Sequence, residues 1–280
     1  MLTPIRNVYY LSFPVVMGAV LSNRMATRLS DVAPVHWATP IMLALVVFII
    51  YTVDRLLDVQ RPDRPPTARH RFHHQHASLL WLVVAGAAVV ALGLTFFLPT
   101  AVVKFGLVLG GLCAAYVGAV FRLPARHPAL LLKEPMVALL YAAGIWGSIW
   151  VQRPTVSGVE LTEALMFTGI AFQNLILFDL MEKRELLVEG QYKPAVFSLA
   201  TEWGDYRCDL LLRWLTFGIF SCGLALCFVT ADRFAQRSAL MLGLMSLTLY
   251  GIQRYPAYFL RNERYRWLGD GVFWFPALVL

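Results

Sequence analysis

Asp54 and Asp58 stand where an apolar segment, 37–53, runs into an arginine-rich stretch, and Asp179 and Glu182 stand at the matching end of a later apolar segment, 164–180. A charged side chain beside lipid loses its hydration, so carboxylates ending two hydrophobic helices are costly unless they meet something cationic. The spacing favours convergence. If the first helix continues through Leu57, Asp54 and Asp58 are i,i+4 and share a face, and Asp179 and Glu182 are i,i+3 with Lys183 beside them. Oxygen ligands from two helix ends suit a divalent cation such as Mg²⁺, which takes one or two carboxylates and completes its shell with water and phosphate oxygens. Either pair alone is also explained as interfacial acids neutralised by Arg55, Arg61, Lys183 or Arg184. Two pairs on one side of a membrane favour a site.

The elements that must position these groups are membrane helices. The chain of 280 residues is 59% hydrophobic and only 15% charged, with a mean hydropathy of +0.63, whereas soluble domains carry about 25% charged residues. Apolar windows of spanning or nearly spanning length recur at 8–25, 37–53, 79–98, 101–121, 136–151, 164–180, 210–230, 238–252 and 267–280. They predict an all-α membrane protein of about nine transmembrane helices in a single polytopic domain covering 1–280. If all nine span, eighteen of the 24 Lys and Arg residues fall on the N-terminal side and six on the other. The positive-inside rule then places the N-terminus and both acidic clusters in the cytoplasm, so the net charge of +7 reflects topology and calls for no nucleic acid. No cleavable leader is evident, because the first window contains Pro14 and lacks a small-x-small cleavage site. The four cysteines form no CxxC pair and imply neither a disulfide framework nor a zinc site.

Three connections on the acidic side, about 54–78, 122–135 and 181–209, are long and polar, as functional loops are. The first contains His70, His73 and His74, spaced like one histidine box of a membrane di-iron enzyme. Six histidines in the whole chain are too few for such a centre, which needs about eight drawn from several boxes. A basic loop against anionic headgroups accounts for most of this stretch. Arg69 and Arg71 also have the planar geometry to clamp a phosphate. Lys133, at the entrance of the fifth window, can neutralise a phosphate or snorkel to the headgroups.

Together these features resemble the UbiA superfamily of intramembrane prenyltransferases, over nearly the whole chain and by motif placement more than residue identity. The family's first motif is Asn-Asp-x-x-Asp-x-x-x-Asp. Here Ile50-Tyr51-Thr52-Val53-Asp54-Arg55-Leu56-Leu57-Asp58 keeps the last two aspartates and replaces the leading Asn-Asp with Ile50-Tyr51. The second motif, Asp-x-x-Asp-x-x-x-Asp, is met by Asp179 and Glu182, with Leu186 in the last position and Glu185 one residue off. Lys133 and the stretch Gly190 to Lys193 also look like family segments. The resemblance implies a nine-helix bundle around a central lipid-open cavity. It implies Mg²⁺-dependent transfer of a prenyl group from an isoprenoid diphosphate to an aromatic or other lipophilic acceptor, in a bacterial inner membrane. Asp54, Asp58, Asp179 and Glu182 would be the catalytic, Mg²⁺-holding set, and Arg69, Arg71, Lys133 and Lys183 would grip the diphosphate. Aromatic walls would stabilise the carbocation through their π faces, and the sequence assigns that role to none of its 37 aromatic residues, Tyr141, Trp146 and Phe172 among them. The lost Asn-Asp leaves a second expectation from another class, a non-catalytic relative that binds or moves an isoprenoid or other lipid. An ion-coupled transporter would place its charges at mid-membrane, not at helix ends.

Overall fold

The computed structural model describes residues 9–32, 36–60, 68–124, 127–188 and 197–280, with side chains for all of these except 68–70 and 188. Every regular element among them is helical. A bilayer core offers no water to unpaired backbone groups, and a helix satisfies its own. The main elements are α1 (Phe13–Leu29), α2 (Ala38–Asp58), the short α3 (Ala68–Gln75), α4 (Ala77–Leu94), α5 (Thr100–Arg122), α6 (Lys133–Ala142), α7 (Gly158–Val188), α8 (Gly204–Val229), α9 (Arg233–Arg254) and α10 (Arg264–Gly271).

Six stretches are long and apolar enough to cross a membrane: Ala38–Asp58, Ala77–Phe97, Thr100–Arg122, Pro128–Trp150, Gly158–Leu187 and Gly204–Val229. The other expected spans differ for local reasons. The 17 residues of α1 rise about 25 Å, short of a hydrocarbon core of about 30 Å. α9 carries Gln236, Arg237 and Gln253 among its apolar residues. The C-terminal window divides between α10 and a 3-10 turn, Val272–Leu278, that contains Pro276.

α7 is the central helix, with 61% of its apolar window buried, and α5 is the most peripheral, with 6% buried. Around α7 the polar contacts are few and specific. Gln173 donates to Thr216 of α8 at 2.9 Å and to the Ser246 carbonyl of α9 at 3.2 Å, while the Ser246 hydroxyl donates back at 2.7 Å. Such bonds tie helices together where apolar packing gains nothing over lipid. The span containing α6 has a π turn at Ala143–Gly147, and Asn23 of α1 donates to the Ile145 carbonyl there at 2.7 Å. π turns loosen the helical ladder and leave a carbonyl for an outside donor.

α8 and α9 form a hairpin, with Asp232 capping α9 by accepting from the Phe234 and Ala235 amides. Their close approach depends on Gly223, where a Cβ would sit 2.8 Å from the Ala239 carbonyl oxygen of α9. Gly223→Val is therefore expected to cost about 1–3 kcal/mol through forced separation of the two helices. Gly218 has open space beside it, so Gly218→Ala should melt like the parent or slightly above it. Thermal melts of both variants in lipid check the difference.

Candidate functional site

The C-terminal ends of α2 and α7 and the N-terminal end of α6 meet at one cavity of about 640 Å³. Its lining runs along α2 from Thr39 to Asp58, about 28 Å at 1.5 Å per residue, a length close to the roughly 30 Å of a hydrocarbon core. Leu43, Val47, Ala91 and Leu109 are typical of its walls, and Asp54, Arg55, Asp58, Lys133, Glu134, Asp179, Glu182, Lys183 and Arg266 carry its charge.

Both acidic pairs reach this cavity because their helices outlast their apolar segments. α2 continues through Leu57 to Asp58, which places Asp54 and Asp58 one turn apart on a single helix. α7 continues to Val188 through Glu182, Lys183, Arg184 and Glu185, residue types that favour helix. Ile50 and Tyr51 also line the cavity, as does Leu186, so the positions that depart from the family motifs face the same space as those that agree. Glu185 does not take the place of the missing carboxylate. It accepts a hydrogen bond from the Tyr265 hydroxyl at 2.9 Å and is not part of the cavity wall.

Arginines occupy much of the acidic cluster. Arg55 lies 3.5 Å from Asp58 and interacts electrostatically with Asp54 and Glu182. Arg266, almost wholly buried, reaches Glu182 at 3.3 Å. Burial opposes the Arg266 charge, but Glu182, Tyr265, Tyr9 and Glu263 outweigh it and hold its pKa above the ordinary arginine range. Burial likewise pushes the Tyr265 hydroxyl above its usual value, which keeps it neutral as a donor to Glu185. Lys183 donates to Asp205 at 2.8 Å and to the Ala200 carbonyl at 3.2 Å, with Arg184 on the same carboxylate.

One acidic pair is different. Glu134, in the first turn of α6, is 3% exposed, and its carboxyl interacts with that of Asp179. Neither Glu134 oxygen nor Asp179 Oδ2 has a donor on another described residue.

The expected set is thus partly assembled. Asp54, Asp58, Asp179, Glu182, Lys133 and Lys183 share one cavity. Arg71 is exposed and stands apart from the cavity wall. The Arg69 side chain and the stretch Gly190 to Lys193 lie outside the described residues. Among the aromatic residues, Tyr141 lines the cavity, joined by Phe178, while Trp146 is buried in the core and Phe172 packs against it. Arg266 and Glu134 were not singled out from the sequence. An arginine flanked by Tyr265 and Trp267, and a glutamate in the first turn of an apolar helix, were the available signs.

The four carboxylates do not fit Mg²⁺ as one ligand set. Asp58 and Glu182 are held by arginines, and no group of three or more His, Cys, Asp or Glu among the described residues is placed to hold a metal ion. Searched against protein-family models, curated proteins and solved structures, the chain has no match.

Proposed function

We propose that this protein is a UbiA-like prenyltransferase with a nine-helix bundle. It binds an isoprenoid diphosphate with its head at the charged end of the cavity and its prenyl chain along the apolar wall. It then transfers the prenyl group to an aromatic or other lipophilic acceptor from the membrane. The observation that carries this reading is that both acidic pairs and Lys133 line a single cavity that is otherwise apolar and runs the length of α2. A ligand with an anionic head and a long hydrocarbon tail has the matching shape and polarity.

In the transfer, the allylic carbon–oxygen bond breaks and the diphosphate leaves with the electron pair. The acceptor then forms the new bond to the allylic carbon and releases a proton. Lys133 neutralises the departing diphosphate, since charge fixed where it develops in the transition state lowers the barrier. The apolar walls keep water from the allylic cation, and the π faces of Tyr141 and Phe178 stabilise it. Mg²⁺, when bound, would share the neutralisation of the diphosphate. The charge split between loops supports a bacterial inner-membrane setting with this end in the cytoplasm.

A second reading, a non-catalytic carrier or binder of an isoprenoid lipid, is favoured by the arginines already paired with Asp58 and Glu182. One experiment separates the two. Purified protein in lipid is given radiolabelled geranyl, farnesyl or geranylgeranyl diphosphate with Mg²⁺ and a membrane extract as the source of acceptor, and released diphosphate is measured. Turnover lost in Asp54→Ala and Asp179→Ala and abolished by chelator is expected. Binding of the donors without release would establish the carrier, and neither binding nor release would sink both readings.

A further inference from the structure

Glu134 is buried at the charged end of the cavity, and neither of its oxygens accepts a hydrogen bond from any other described residue. It faces Asp179, whose Oδ2 is equally buried and equally without a donor. Two acceptors held together in this way repel each other, and each is stripped of the water that would compensate it. The neighbouring Lys133 eases the charge on Glu134 electrostatically without bonding to either oxygen. The start of α6 adds the positive end of a helix dipole, which favours a negative charge at Glu134 but puts nothing between the two carboxyls. Three other acids at this end have their cations already. Asp58 has Arg55, Glu182 has Arg266, and Asp205 has Lys183 and Arg184.

We infer that Glu134 and Asp179 form a two-carboxylate site for one divalent cation of the Mg²⁺ class, in place of the four-carboxylate set that the motif positions imply. Two carboxylates with waters and phosphate oxygens make a normal Mg²⁺ shell, so the lack of a three-residue cluster is no obstacle. The pair is contributed by α6 and α7, which pack along each other, so the site is built by two rigid elements. Only the identity of the remaining ligands, the oxygens of a diphosphate, rests on the prenyltransferase reading.

The test uses the full chain in lipid nanodiscs, washed with chelator and titrated with Mn²⁺ alone, with free Mn²⁺ counted by electron paramagnetic resonance. One Mn²⁺ per chain is expected, displaced by Mg²⁺. Glu134→Gln should weaken it at least tenfold, since even an indirect ligand support is worth roughly that much. Asp58→Asn should change the affinity less than threefold. Melting curves provide a control that does not depend on activity: metal-free Glu134→Gln should melt at or above the parent, because its amide can donate to Asp179, and it should lose the Mg²⁺-induced rise. Asp179→Asn repeats both readouts if Glu134→Gln does not fold. No bound Mn²⁺ overturns the proposal and means that the two carboxyls share a proton. Loss in Asp58→Asn with retention in Glu134→Gln overturns it in favour of the first-motif acids. Neither outcome depends on whether a prenyl donor is ever turned over.

Discussion

Lys133→Met is expected to lower diphosphate release by about 10²- to 10³-fold, the loss typical of removing one fixed group that stabilises transition-state charge. The size of the effect follows from how the other cations at the site are committed. Lys183 is bound to Asp205 and the Ala200 carbonyl. Arg266 is spent on Glu182, and Arg55 lies among Asp54, Asp58 and Glu182. Lys133 lines the cavity and has no such commitment among the described residues. Methionine keeps its length and apolar stem while removing the charge, so packing should survive. The measurement is single-turnover release with saturating donor, alongside donor binding. A fall in turnover with binding nearly kept supports transition-state stabilisation, and unchanged turnover would remove Lys133 from the mechanism. Lys183→Met, by comparison, should chiefly weaken the α7–α8 connection, leaving Asp205 with Arg184 alone.

The second large effect is on stability. Glu182→Gln leaves Arg266, whose side chain is 6% exposed, without its counterion. Removing one member of a buried pair costs about 3–5 kcal/mol, and because Glu182 itself is about a third exposed, the lower end of that range applies. The melting temperature should fall by on the order of 10 °C, followed through tryptophan fluorescence in lipid. The double variant Glu182→Leu with Arg266→Met should recover most of the loss, since a buried pair replaced by apolar groups is often neutral. A Glu182→Gln protein that melts like the parent would show that Arg266 is solvated or has another carboxylate within reach.

These contrasts mark where the sequence stops being informative. The long apolar windows and their clustered charges sufficed for the helical membrane class, because a bilayer admits few alternatives. The i,i+4 and i,i+3 spacings were enough to place each acidic pair on one side of one helix, since helix geometry is local. Whether α2 continued past Val53 was conditional on the sequence alone, and it does. The commitments of the lysines were not readable. Lys133 and Lys183 look alike in sequence and both line the cavity, yet one has no ion pair among the described residues and the other is captured by Asp205 at the start of α8. Arg71 is likewise exposed and not part of the cavity wall, a placement that spacing alone does not encode.

The sequence by itself determined that two acidic helix ends lie on one side of a membrane protein, because hydropathy and helical periodicity act over neighbouring residues. Only the tertiary structure decided which of those acids are still open. Arg266 reaches Glu182 from α10, and Glu134 reaches Asp179 from α6. Both pairings depend on the rotation and crossing of helices distant in sequence, which are set by side-chain packing around α7 and by a few buried hydrogen bonds. Charge type can be read from a residue's name, but its partner is fixed by the packed fold, where an unpaired ion costs several kcal/mol.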